Sequence, residues 1–194
     1  HSSHRRQRQM CIRDSFICGV DEAGRGPLAG PVFAAAVILN PNKKIKDLND
    51  SKKLSNEKLS KLHLIILQDA IEVSFSYATV KEIDELNILQ ASLLAMKRAI
   101  LNLKRKPNVV MVDGLYCPKI SNINMKSVVK GDLKHQEISA ASIIAKVERD
   151  KLMIKMDARF PLYNFKKHKG YPTKEHILMI KKYGITEIHR RTFK

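Results

Sequence analysis

Ile17-Cys18-Gly19-Val20-Asp21-Glu22-Ala23-Gly24-Arg25-Gly26-Pro27-Leu28-Ala29-Gly30-Pro31-Val32 is the stretch on which the fold turns. An apolar run ends in two adjacent carboxylates, a Gly-Arg-Gly turn follows, and a second apolar run fills Val32 to Leu39. That order predicts strand, acidic strand end, flexible turn, strand. Adjacent side chains on a strand point to opposite faces, so Asp21 and Glu22 converge on one ion only where the strand ends or bends. Gly24, Gly26 and Gly30 leave bare amides open to a ligand. Two acids beside such a turn suit a hard divalent cation and a phosphate at one place. An isolated Asp-Glu pair is more often a solvated turn, so the rest of the chain has to decide.

Working outward, a polar loop spans Asn40 to Asp50, and Asp50-Ser51-Lys52-Lys53-Leu54-Ser55 follows. Ser55 is a good N-cap for a helix to about Leu67. Val73 to Thr79 alternates apolar and polar residues and predicts a strand. Leu86, Leu89, Leu93, Met96, Ile100 and Leu103 recur at spacings of three and four, which predicts one long amphipathic helix on a sheet. Glu82, Asp84 and Glu85 read as helix N-terminal charges. Val109 to Val112 is a buried strand ending in Asp113-Gly114, and Val128-Val129-Lys130-Gly131-Asp132 repeats that pattern. Ile138 to Met156 reads as a helix, with Ala140, Ala141, Ser142 and Ala145 allowing close approach to the sheet and Glu148 and Asp150 on its surface. Together these elements predict an α/β fold built on a mixed sheet.

Composition narrows the partners. The 194 residues suit one domain, and 36 Lys and Arg against 19 Asp and Glu leave a net charge of +17. Such an excess points to a polyanion, most simply nucleic acid. The basic bias deepens toward the C-terminus, where Tyr163-Asn164-Phe165-Lys166-Lys167-His168-Lys169-Gly170-Tyr171-Pro172-Thr173 interleaves aromatics with lysines, a pattern suited to bases, sugars and phosphates. Thr173 then caps a helix to about Tyr183. Cys11, Cys18 and Cys117 show no paired spacing, which argues against zinc and disulfides and for a reducing cytoplasm. No apolar run is long enough to span a bilayer, and the N-terminus lacks the apolar core of a signal peptide. Residues 1–15, with four arginines and almost nothing apolar, read as a disordered or artefactual leader outside the fold.

Asp21, Glu22, Asp113 and Asp132 thus share one rule: each follows or ends a strand-like run. Neighbouring strands bring such ends together, and clustered carboxylates repel unless cations intervene. That is the requirement of a two-metal phosphodiester hydrolase. A non-catalytic basic RNA- or DNA-binding protein is the competing reading; it fits the charge but not the acids, because uncompensated carboxylates repel phosphate.

These residues resemble ribonuclease HII, the bacterial type 2 ribonuclease H family. The matching stretches are Val20 to Val32, Asp50-Ser51-Lys52-Lys53-Leu54, Val112-Asp113-Gly114, Lys130-Gly131-Asp132, Ile138 to Asp150, and His168-Lys169-Gly170-Tyr171-Pro172-Thr173. The resemblance implies an RNase H-like mixed sheet flanked by helices, with a C-terminal helical basic segment over about residues 158–194. It implies endonucleolytic cleavage of RNA in RNA–DNA hybrids and on the 5′ side of single ribonucleotides in duplex DNA, by a monomer using two Mg²⁺ or Mn²⁺ ions. It assigns Asp21, Glu22, Asp113 and Asp132 to the metal centre, and Gly24, Arg25 and Gly26 to sensing of the ribose 2′-hydroxyl. It sets Tyr171 on the sugar at the RNA–DNA junction and gives Lys52 and Lys146 to substrate binding. The sister family, ribonuclease HIII, lacks Gly-Arg-Gly after its acids and carries an extra N-terminal domain. Leu133-Lys134-His135-Gln136-Glu137 departs from the small, hydroxylic residues of many family members, and His135 there reads as a surface histidine rather than a proton carrier.

Overall fold

Every residue of Val32-Phe33-Ala34-Ala35-Ala36-Val37-Ile38 is buried, as happens in a strand covered on both faces. The computed structural model describes residues 16–48 and 54–193, and this strand is the second of its sheet. In chain order the elements are β1 (Ile17–Ala23), β2 (Val32–Ile38), α1 (Asn56–Asp69), β3 (Glu72–Ala78), α2 (Val80–Leu86), α3 (Ile88–Leu101), β4 (Val109–Asp113), β5 (Met125–Val128), α4 (Gln136–Arg159), α5 (Phe165–His168) and α6 (Lys174–Tyr183). The sheet order is β3-β2-β1-β4-β5. β1, β2 and β3 pair antiparallel, while β1–β4 and β4–β5 pair parallel, so the sheet is mixed as expected.

The alternation along β2 sorts two cores. Val32, Ala34, Ala36 and Ile38 pack with Ile83 of α2 and Ala91, Ala95 and Met96 of α3. Ala35 and Val37 pack on the other face with Leu59, Leu62 and Ile66 of α1 and Ala140, Ala141 and Ile144 of α4. α4 lies close because β1 has no side chain at Gly19: a Cβ there would stand 2.1 Å from the Glu137 carbonyl carbon. Past the sheet, Met153 of α4 joins Ala29, Tyr163 and Phe165 in a third, smaller core. One 24-residue helix therefore ties the sheet to the C-terminal segment.

Several expectations are corrected. The helix expected over Leu86 to Leu103 forms as α3, Ile88–Leu101, but Leu86 belongs to the preceding helix, cut off by Asn87, which sits at φ 71° and caps α3 by accepting from the Leu89 and Gln90 N–H groups. Glu82 does close a capping box with Thr79, and Arg98 holds its carboxyl down at about 2. Asp84 and Glu85 have other roles: Asp84 accepts from the Arg191 and Thr192 N–H groups, and Glu85 faces Lys81. β1 does not stop at its acids but runs through both to Ala23. Asp132 does not end a strand; β5 stops at Val128 and Asp132 sits in a 3₁₀ turn, Gly131–Leu133. Tyr163 and Phe165 are core residues, not parts of a binding surface, and of that segment's aromatics only Tyr171 is exposed. His168, His176 and His189 are likewise buried beside them. Ser55 and Thr173 cap α1 and α6 as their types predict. The leader expected over residues 1–15, and Lys52, lie outside the described residues.

Candidate active site

The parallel pairing of β1 and β4 runs in register from Ile17↔Val109 to Val20↔Val112. The next residues on the two strands are Asp21 and Asp113, so the register itself brings their backbones side by side. Glu22 follows Asp21, and its N–H donates to Asp21 Oδ1 at 2.7 Å. Asp113 Oδ1 accepts from the Gly131 N–H at 2.7 Å. Arg25 reaches back to Glu22 Oε1 at 3.4 Å.

These groups line a cleft of about 270 Å³ formed by Asp21, Glu22, Ala23, Gly24, Arg25, Gly26, Asp113, Ser142, Lys146 and Tyr171. Of the sequence-predicted residues, the acids of β1 and β4, the Gly-Arg-Gly turn, Lys146 and Tyr171 thus meet in one place. Asp132 does not line the cleft; it stands one residue beyond the N–H that holds Asp113. His135 is the N-cap residue of α4 without a side-chain cap, away from the cleft lining.

The electrostatics are those of crowded acids. Burial, then the Glu22 and Asp113 charges, raise the Asp21 carboxyl well above its ordinary range, against a hydrogen bond from Ser142. Burial also raises Glu22, opposed by Arg25. The donor set is all oxygen and anionic, which fits a hard divalent cation. Among the described residues, however, no three acidic, histidine or cysteine side chains stand together as a ready ligand set. Each of the three carboxylates already has a donor: Asp21 accepts from the Glu22 N–H, Glu22 from Arg25 and Asp113 from the Gly131 N–H.

Other members of the site were not legible as such. Ser142 was read only as a small packing residue. Asp150, read as a surface charge, pairs with Lys146 and orients it, and its Oδ1 is buried without a partner. Glu148, read the same way, lies outside the cleft lining and accepts from His63 and Lys151 at 2.7 Å each. Tyr171 is 42% exposed with its ring 5.7 Å from the Arg149 guanidinium carbon. Its backbone is fixed: the N–H donates to His168 O at 2.9 Å, and the carbonyl pairs with His176 Nδ1 at 2.9 Å. Behind the turn lie two buried arginines, Arg149 and Arg190, 1% and 3% exposed. Nothing in sequence spacing marks an arginine as buried.

The chain is similar to known proteins over most of its length. A family model described as Ribonuclease HII matches residues 18–194. The Ribonuclease HII of Caldicellulosiruptor bescii is 52% identical over 178 residues, 92% of this chain and 86% of that protein. That of Acinetobacter baylyi is 53% identical, covering 92% and 94%. Among solved structures, the PCNA:RNase HII complex from Archaeoglobus fulgidus matches with a TM-score of 0.78 at 25% identity, over 92% of this chain and 95% of that one.

Proposed function

Since the chain belongs to the ribonuclease HII family and is a ribonuclease H, with the RNase H-like fold, we propose that it hydrolyses the RNA strand of RNA–DNA hybrids and cuts 5′ of single ribonucleotides in duplex DNA. One observation carries the finer reading: the β1 and β4 acids, the Gly-Arg-Gly turn and exposed Tyr171 line the same cleft. Asp21, Glu22 and Asp113 would hold divalent cations there, with Asp132 joining from the adjoining turn; such ions activate water and steady a leaving oxygen. The amides of the turn read the 2′-hydroxyl, the one group that separates RNA from DNA at a given sugar. Tyr171 stacks on the following sugar, where a deoxyribose leaves room. Lys146, held by Asp150, and Lys52 neutralise phosphates.

The test is cleavage of a duplex with one embedded ribonucleotide, with and without Mg²⁺ or Mn²⁺. The expected product ends immediately 5′ of the ribonucleotide, and only in the presence of metal. Cleavage of long hybrids combined with no cutting at a single ribonucleotide would refute the junction reading.

A further inference from the structure

Arg190 lies in the C-terminal tail, 3% exposed, and among the described residues no carboxylate stands within salt-bridge distance of it. Its guanidinium donates instead to three backbone carbonyls: Nε to Gly30 O at 2.9 Å, Nη1 to Arg25 O at 2.8 Å, and Nη2 to Gly24 O at 2.5 Å. Its own backbone N–H donates to Leu28 O at 2.8 Å. Arg149, from α4, does the same next door, donating to Pro31 O and Ala29 O at 3.2 Å each and to Lys169 O at 3.0 Å. Two guanidiniums buried without a carboxylate in contact among the described residues are costly, and burial lowers both below the usual arginine range, Arg190 to about 9. A planar fork with five donors on three nitrogens and no acceptor can nevertheless gather several separated carbonyls on one side of a loop in a fixed geometry.

Gathering them has a consequence for the opposite side. All the described peptide bonds are trans. In a planar trans peptide the C=O and the N–H of the next residue point in opposite directions. Pinning Gly24 O therefore turns the Arg25 N–H away from Arg190, and pinning Arg25 O does the same for the Gly26 N–H. Arg25 and Gly26 both line the cleft, and no acceptor among the described residues takes either amide.

We propose that Arg190 is a positioning residue for ribonucleotide recognition: by holding the Gly24 and Arg25 carbonyls it aims the Arg25 and Gly26 amides at the sugar. This rests on the turn reading the 2′-hydroxyl. Arg149 supports the same loop from α4 while its guanidinium backs the Tyr171 ring, so one basic pair sets both halves of the recognition surface.

The test compares Arg190→Lys with the unaltered chain. Affinity for a duplex with one ribonucleotide and for the all-DNA duplex of the same sequence is measured by fluorescence anisotropy in EDTA, with kcat and KM on the first duplex and on a long hybrid in Mg²⁺. A lysine keeps the charge but has its donors on one nitrogen, and cannot reproduce the planar fork that meets the three carbonyls with three separate nitrogens. The ratio of the two affinities should fall at least fivefold, and kcat/KM should fall at least fivefold more on the single-ribonucleotide duplex than on the hybrid. Where the lysine variant does not fold, Arg190→Ala with millimolar ethylguanidinium replaces it; ethylguanidinium should restore the ratio and ethylammonium should not. A folded lysine variant that keeps the ratio, or an equal loss on every duplex, overturns the inference. No preference for the ribonucleotide by the unaltered chain overturns instead the reading on which it rests.

Discussion

Alanine at Gly24 and alanine at Gly26 should have opposite consequences, although the two glycines flank one arginine. Gly24 is buried at φ +96°, and a Cβ there would stand 2.1 Å from Arg149 Nε and 2.4 Å from its Cδ. Holding an L-residue at positive φ costs about 1–2 kcal/mol. Arg149 cannot simply swing away, because three carbonyls hold its guanidinium, and each hydrogen bond lost from a charged donor costs about 1.5–3 kcal/mol. One lost bond brings Gly24→Ala to about 2.5–5 kcal/mol of destabilisation. At about 2–4 °C per kcal/mol for a domain of this size, its melting temperature should fall by roughly 5–20 °C. Gly26 has no positive φ, and a Cβ there meets only Tyr171 Cε1, at 3.8 Å. Gly26→Ala should leave stability within about 0.5 kcal/mol of the unaltered chain. On the proposed reading its methyl group would stand where a sugar approaches the amides. Cleavage of a single-ribonucleotide duplex should therefore drop at least tenfold, about 1.4 kcal/mol of transition-state stabilisation. Calorimetry and steady-state kinetics on both variants make the measurement. A Gly24→Ala protein that melts within 2 °C of the parent, or a Gly26→Ala protein of full activity, refutes the geometry.

Asp21→Asn removes a carboxylate that burial and neighbouring acids hold above its ordinary pKa, a strain that grows as pH rises through that raised value. In EDTA at pH 8 the variant should melt higher than the parent; Mg²⁺ should raise the parent's melting temperature and not the variant's, with cleavage lost and duplex binding kept. Tyr171→Ala removes a stacking partner worth about 1–3 kcal/mol, so activity on a single-ribonucleotide duplex should fall tenfold or more, and by less on a long hybrid in Mn²⁺. Equal losses on both substrates with a lower melting temperature would make Tyr171 structural. His189 is held from 6.5 down to about 4 by burial and then by His176, so the fold refuses a proton that the unfolded chain accepts. Stability is then full above about pH 6.5 and lost as pH falls toward 4, by about 1.4 kcal/mol per pH unit in that window. His189→Gln should flatten urea midpoints plotted against pH over that range, and unchanged curvature would remove His189 as the cause. Lys52→Ala should reduce the slope of log affinity against log salt by about 0.9, one phosphate's worth. An unchanged slope would free Lys52 from any phosphate.

Periodicity and residue type carried the reading where a single local force decides. Alternation in β2, the caps at Ser55 and Thr173, and acids placed after apolar runs all depend on near neighbours in the chain. Asn87 cut Leu86 from the expected helix because its side chain caps the helix that starts after it, a competition that spacing of leucines does not express. The site itself was legible in parts. Its acids, turn and tyrosine stand out by type, and family resemblance supplied their roles. That Asp21 and Asp113 stand side by side is a matter of β1–β4 register, which pairs residues more than ninety positions apart. The meaning of arginine, histidine and aromatic residues in the C-terminal segment was the least legible. In sequence Tyr163 and Phe165 look like parts of a basic binding surface, whereas in the fold they join His176 and Arg190 in a buried support for the turn and for Tyr171. Burial of a polar side chain depends on partners found only by folding, here the carbonyls of a loop some 160 residues earlier. The sequence by itself therefore determined which chemistry the chain carries; the tertiary structure alone decided which way the carbonyls of residues 24 and 25 point, because that direction comes from a guanidinium at the far end of the chain.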